Sequence, residues 1–147
     1  MKKLFLIQLA ALLLIVFTAA SSGTPADDKT VILDLMETRI DILSYYYGGK
    51  MTLEDARHNM AKISAGGLFK EDVAFMEGFS DTEIDQITDY SLEIISCKRT
   101  SYGIIKGEAR VYWKMRGQEG CWETEEEYYF TAEQDEDHIK LTQLKKI

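Results

Sequence analysis

Apolar and polar residues alternate with a period of two along most of the chain from Thr88 to Leu141. Successive side chains of a β-strand point to opposite faces, so this period predicts strands with one buried face and one face in water. Four runs follow it, with apolar sets Tyr90, Leu92 and Ile94; Ile105, Ala109, Val111, Trp113 and Met115; Trp122, Tyr128 and Phe130; Ile139 and Leu141. Such strands, joined by short connections, predict an antiparallel meander.

The predicted turn at Gly117–Gly120 places Trp113 opposite Trp122. The same meander puts Cys97 and Cys121 near opposite ends of the second strand. At roughly 3.3 Å per residue the strand separates them by tens of ångströms, whereas a disulfide needs Cα atoms within about 7 Å. The sequence therefore predicts two free thiols, or thiols that pair with another chain.

Spacings of three and four residues between apolar side chains predict helices before the strands. The first runs from about Lys29 to Tyr47, and Gly48-Gly49 end it. The second opens with a capping box at Thr52–Asp55 and ends at Gly66-Gly67.

Two later stretches are less regular. Leu68–Phe79 is compatible with a short strand or with one or two helical turns, and Ser80–Glu83 has the pattern of a further capping box. The predicted fold is α+β, with two helices packed on a curved antiparallel meander of about four strands within a single domain at 29–147.

The N-terminus has the pattern of an export signal. Lys2 and Lys3 precede an apolar run from Leu4 to Ala20, which predicts a hydrophobic helix. Small residues at Thr18-Ala19-Ala20 would allow cleavage before Ser21, yet the run is also near the roughly 17–25 residues that cross a bilayer. We expect a signal peptide or signal anchor at 1–20, a linker at 21–28, and an extracytoplasmic domain that is membrane-anchored or secreted.

Charge limits the partners. All 25 acidic residues but only 15 of the 17 basic residues follow residue 20, so the exported part is strongly acidic. Nucleic-acid binding needs basic patches and is therefore not expected.

The order of two helices and a long meander, with Gly-Gly breaks after each helix, resembles the NTF2-like superfamily, a cone-shaped α+β fold. The cystatin-like fold, one helix on a similar sheet, is its nearest rival. Residues Tyr45–Ala56 resemble small uncharacterised exported proteins of Gram-positive bacteria. A membrane segment before such a domain also resembles VirB8-type components of conjugative secretion systems. NTF2-like proteins include enzymes and binding modules, so the resemblance implies a fold and not an activity.

Glu126 is the most informative polar position. Alternation puts it on the core face between Thr124 and Tyr128, where a carboxylate is costly unless it is paired or faces a pocket. In NTF2-like enzymes the interior of the cone is the usual active site, and a raised pKa would suit a general base. A bulge or a strand end would instead return Glu126 to water.

Tyrosines provide a second candidate surface, since they are favoured at protein interfaces. Tyr45, Tyr112 and Tyr129 are candidate interface residues, whereas Tyr46 and Tyr47 also fit the buried face of the first helix.

No motif predicts a catalytic, metal or cofactor site. Asp81, Glu83 and Asp85 have calcium-loop spacing, but Gln86 and Leu92 stand where the EF-hand needs Gly and Glu. His58 and His138 have no nucleophile or metal partner that the sequence reveals.

We therefore expect a non-enzymatic extracytoplasmic module that binds a protein partner, with an envelope or conjugation assembly as one setting. The membrane is a further partner if the leader is retained. The alternative is an exported small-ligand binder or NTF2-like enzyme, with a pocket between the first helix and the sheet.

Overall fold

The computed structural model describes residues 25–78 and 85–147. Within them, three helices precede four strands: α1 Pro25–Tyr47, α2 Leu53–Ile63, α3 Gly66–Glu77, β1 Gln86–Arg99, β2 Ile105–Gly117, β3 Gly120–Asp135 and β4 His138–Lys146. The strands form an antiparallel sheet in the order β1-β2-β3-β4. The predicted α+β class and meander are confirmed.

The helical part departs from the prediction in two ways. Helix α1 begins at Pro25, so part of the stretch predicted as a linker is helical. The ambiguous stretch is helical from Leu68 to Glu77, and its helix, α3, already begins at Gly66, so the described residues contain three helices instead of two. Gly66 has a φ of 60° and opens α3, whereas α2 ends earlier, at Ile63.

Thr52 is the N-cap of α2, at the start of the predicted capping box. The backbone N–H of Asp55 donates to Thr52 Oγ1 at 3.1 Å, and the Thr52 hydroxyl donates to Asp55 Oδ2 at 2.7 Å. At the other end of α2, Ser64 N–H bonds to the Met60 carbonyl, and Ala65 N–H then bonds to Leu141 of β4 at 2.9 Å. The junction between α2 and α3 is thereby attached to the sheet.

The core lies between the helices and one face of the sheet, which we call the inner face. Fully or nearly buried apolar side chains come from both layers: Ile32, Leu35, Met36, Ile42, Ala56, Met60, Ile63, Leu68, Val73 and Met76 from the helices, and Ile94, Ile105, Ala109, Phe130, Ala132 and Leu141 from the strands. Gly107 lies in this face, where a Cβ would meet the Ser96 carbonyl oxygen at 1.9 Å.

Two ion pairs connect α1 to the rest of the domain. Arg39 donates to both carboxylate oxygens of Asp72 on α3, at 3.0 and 2.5 Å. Arg99, the last residue of β1, donates in the same two-pronged way to the buried Asp28. Both carboxylates are therefore satisfied where the chain buries them.

The β2–β3 hairpin differs from the predicted register by two residues. Gly117 pairs with Gly120, so Trp113 lies opposite Thr124 and Trp122 lies opposite Met115. An even shift keeps every side chain on its predicted face. Cys97 and Cys121 are both free, as predicted, and burial raises the pKa of the Cys97 thiol.

The leader at 1–20 and the capping-box pattern at Ser80–Glu83 lie outside the described residues, as do Asp81 and Glu83 of the calcium-like spacing. None of the helices described is both long enough and apolar enough to span a bilayer.

Candidate functional site

The helices bury the inner face of the sheet over only part of its length. Along β2, Ile105 through Val111 are buried at alternate positions, but Trp113 and Met115 are only half-buried. Trp122, opposite Met115 on β3, is 44% exposed. We call residues 86–90, 113–117 and 120–126 the projecting end of the sheet.

The inner face of the projecting end holds a cavity of about 160 Å³. It is lined by Ile87, Trp113, Met115, Trp122, Thr124 and Glu126. Apart from Thr124 and Glu126 the lining is hydrophobic, and it draws on three strands that the alternation of the sequence predicts. The inner face of the projecting end is therefore an accessible, largely apolar surface with one ionisable group, Glu126.

Glu126 lies on the inner face, as the alternation predicts, and it is already paired. Lys146 Nζ donates to Glu126 Oε1 at 2.6 Å, and the Tyr128 hydroxyl donates to Oε2. Burial alone would raise the pKa of Glu126, but the hydrogen bonds from Lys146 and Tyr128 outweigh it and lower that pKa. A general base would be suited by a raised pKa, whereas the pKa of Glu126 is lowered.

The three predicted pocket residues line two different cavities. Thr124 and Glu126 line the cavity of the projecting end, whereas Tyr128 lines a separate one between α1 and the sheet. That second cavity measures about 30 Å³, far below the roughly 300–1,000 Å³ of an ordinary ligand pocket. Burial and the hydrogen bond to Glu126 raise the pKa of Tyr128.

Tyr90 and Trp113 connect the projecting end to α1. The Tyr90 hydroxyl donates to Asp41 Oδ1 at 3.3 Å, and the Tyr90 and Trp113 rings have centroids 6.1 Å apart. Burial, together with Asp41, raises the pKa of Tyr90 to about 12. These contacts hold the rim of the inner cavity against the helix layer.

The outer face of the projecting end is acidic. A cavity of about 500 Å³ is lined there by Asp89, Glu123, Glu125, Lys114, Ser91 and Tyr112, together with Tyr90, Trp113 and Thr124. Lys114 lies 3.6 Å from Asp89 and 3.9 Å from Glu123, so one ammonium group serves two carboxylates. Arg110 likewise contacts Glu125 at 3.0 Å and Glu127 at 2.6 Å. Carboxylates therefore outnumber cations on this surface.

The three candidate interface tyrosines do not form one surface. Tyr112 is 40% exposed within the outer cavity, and Tyr129 lies half-buried on the same face, opposite Glu108. Tyr45 lies in the helix layer at the end of α1, with the Lys50 ammonium 6.0 Å from its ring centroid. Tyr46 is half-buried against the core, and its hydroxyl donates to the Met76 carbonyl at 2.8 Å.

His58 and His138 are both exposed. Across the two described stretches, 25–78 and 85–147, no three His, Cys, Asp or Glu side chains are grouped closely enough to hold a metal ion.

Lys146 is the site residue that the sequence analysis missed. It lies two positions after Leu144, which packs against the core, and it pairs with Tyr128 in the sheet. The same period of two that placed Glu126 inward would have placed Lys146 on the inner face as well. A basic residue at that position could have indicated that the charge of Glu126 has a partner.

Neither a protein-family model nor a curated protein matches the chain. Among solved structures, the chain is similar to the crystal structure of the intermembrane space region of the chloroplast protein ARC6, with a TM-score of 0.60. The match covers 82% of this chain and 96% of that chain, at 11% sequence identity. At that identity the likeness establishes the α+β fold alone.

Proposed function

We propose that this protein is an extracytoplasmic protein-interaction module whose docking surface is the projecting end of the sheet. The observation that carries the proposal is Trp122, which is 44% exposed beside an uncovered apolar cavity. Tryptophan is enriched among the few residues that supply most of the energy of an interface. Met115 and Ile87 extend the same surface and would be buried by a partner.

The polar groups around Glu126 fit a role in protein binding better than a role in catalysis. Glu126 has a lowered pKa and two hydrogen-bond donors, so it is poorly suited to accept a proton from a substrate near neutral pH. The alternative, a metabolite pocket between α1 and the sheet, has little support, because the cavity described there measures only about 30 Å³, against roughly 300–1,000 Å³ for an ordinary ligand pocket.

Two observations support an extracytoplasmic location, and with it an envelope assembly as the setting. Lys2 and Lys3 before the apolar run to Ala20 have the pattern of an export signal. The structural neighbour is itself an intermembrane space region.

The exposed thiol of Cys121 allows a test of location. In intact cells of the native host, a membrane-impermeant maleimide should label the wild-type protein and should not label Cys121→Ser. The half-buried Cys97, whose pKa is raised, should react far more slowly. Labelling that requires cell lysis would overturn the location.

The docking surface is tested by co-purification from the native host. We expect a partner protein to co-purify with the tagged full chain and with Tyr102→Ser, and to be lost with Trp122→Ser. Tyr102 is the matched control, because it is 90% exposed in the β1–β2 turn at the other end of the sheet. Thermal melting of both variants checks that the fold is retained. A partner that survives Trp122→Ser, or no co-purifying protein at all, would contradict the proposal.

A further inference from the structure

The docking surface includes an open strand edge. In an antiparallel sheet, the N–H and C=O of one residue point to the neighbouring strand on one side. Those of the next residue point to the strand on the other side. The Ile147 N–H donates to the Glu127 carbonyl at 3.0 Å on the β4 side of β3. Glu125, Glu123 and Cys121 share the parity of Glu127, and the β2–β3 register has no shift. Their backbone groups therefore point to that same side.

No strand among residues 25–78 and 85–147 pairs with this part of β3. The β3–β4 register begins at Tyr128 with Lys146, and Ile147 adds a bond to Glu127; no residue described pairs with the part of β3 before Glu127 on that side. The N–H and C=O groups of Cys121, Glu123 and Glu125 consequently form an unpaired edge of the kind that accepts an added strand.

The two faces beside this edge have opposite chemistry. On the inner face, Trp122 and Thr124 line the apolar cavity. On the outer face, Glu123 and Glu125 are both exposed and line the acidic cavity. A strand laid along the edge would therefore meet apolar surface at every second side chain and carboxylates at the others.

We infer that the partner binds as an extended segment that adds to the open edge of β3, with apolar side chains toward Trp122 and Lys or Arg side chains toward Glu123 and Glu125. The inference rests on the proposed function and names the chemistry of its partner. Main-chain hydrogen bonds would give this complex its affinity, and the alternating side chains would give it specificity.

Charge complementarity distinguishes this occupant from a second copy of the chain. Pairing of the same edge with itself would bring Glu123 and Glu125 close to their own copies, and like charges facing each other destabilise a strand pair. Two cations on this face, Lys114 and Arg110, are each shared between carboxylates, and Arg116 lies opposite Cys121. A basic segment would relieve this excess of negative charge.

The test uses the full chain in mild detergent, labelled for amide NMR, and a synthetic peptide of alternating Lys and Val as the probe. We expect binding to shift the amide signals of Cys121, Glu123 and Glu125 and to slow their hydrogen exchange. Those of the distant turn at Ser101–Gly103 should not change. Binding should weaken as salt is added. A peptide of alternating Glu and Val should bind at least tenfold more weakly. Equal binding of the two peptides, or changes confined to other residues, would overturn the inference.

Two variants at one position separate edge pairing from charge. Glu123→Pro removes an N–H that points to the open edge and spares the β2 ladder, which is a setting in which a strand tolerates proline. Glu123→Gln keeps that N–H and removes one charge. We expect Glu123→Pro to weaken peptide binding at least tenfold and Glu123→Gln only a few-fold, with thermal melting as the check on folding. Equal effects of the two variants would contradict strand addition.

The same variants distinguish this inference from the proposed function. If the native partner is lost with Trp122→Ser but retained with Glu123→Pro, the docking surface stands and strand addition fails. If the partner is retained with Trp122→Ser, the docking surface itself fails.

Discussion

At the scale of single residues, Arg39 and Asp72 form the contact whose removal should cost the most. The Asp72 side chain is only 6% exposed and receives two hydrogen bonds from Arg39. Arg39→Ala would leave a buried carboxylate without its partner, which costs about 3 kcal/mol or more. We expect that loss in the free energy of unfolding, measured by urea denaturation of the full chain.

The control for Arg39 is Arg57→Ala. Arg57 and Glu77 lie 3.7 Å apart, and both side chains are more than half exposed, so their pair should contribute less than about 1 kcal/mol. Equal losses for the two arginine variants would contradict the structural role of the Arg39–Asp72 pair.

The lowered pKa of Glu126 predicts how the stability of the fold depends on pH. Its pKa in the folded protein is lowered below the ordinary value of 4.5. Its ionised form therefore stabilises the fold above pH 4.5, and that contribution is lost as pH falls through the lowered pKa. Wild type should be more stable than Glu126→Gln at neutral pH, and the difference should shrink on acidification below that value. Urea denaturation along a pH series measures it, and a difference that grows in acid would mean a raised pKa.

The position of Glu126 could be predicted from the sequence, but its chemistry could not. Alternation along β3 is a local property, so it correctly put Glu126 on the inner face with Thr124 and Tyr128. Its pairing with Lys146 depends on how far β4 extends along β3, which is set by the register of strands distant in sequence.

At the scale of elements, Gly107 has no room for a side chain between β2 and its neighbours. An added Cβ would lie 1.9 Å from the Ser96 carbonyl oxygen and 2.9 Å from the Phe130 ring, beside the irregularity between Ile94 and Ser96 in β1. Gly107→Ala should therefore destabilise the fold by about 1–3 kcal/mol or more.

Gly67→Ala is the matched substitution, and its expected effect on stability is opposite to that of Gly107→Ala. Gly67 lies within α3 and has nothing within 4 Å of the position of a Cβ, so alanine should stabilise by about 0.5–1 kcal/mol. Thermal melting of both variants measures the difference. Similar melting temperatures would contradict the close approach of the backbones at Gly107.

The strands were more predictable than the third helix for a physical reason. Each strand buries one face, so its alternation of apolar and polar residues can be recognised without knowing which strands it pairs with. Gly66-Gly67 resembles a helix stop, but the chain uses Gly66 with a φ of 60° to begin α3 after Ser64 and Ala65 attach to β4. The hairpin register was wrong by two residues because the sequence does not reveal how many residues form its loop.

At the scale of the whole molecule, the helix layer is shorter than the sheet it covers. The helices bury the inner face around Phe130 and Leu141, while Trp122 and Met115 remain accessible at the other end. The accessible apolar end of the sheet is the part of the molecule to which the proposed docking surface is assigned.

The most direct measurement is site-specific photocrosslinking in intact cells of the native host. A photoreactive residue would replace Cys121 in one variant, which keeps Trp122, and Tyr102 in another, at opposite ends of the sheet and with both positions exposed. Docking at the projecting end predicts an adduct of discrete mass from position 121 and none from position 102. Adducts from both positions alike, from position 102 alone, or from neither would contradict it.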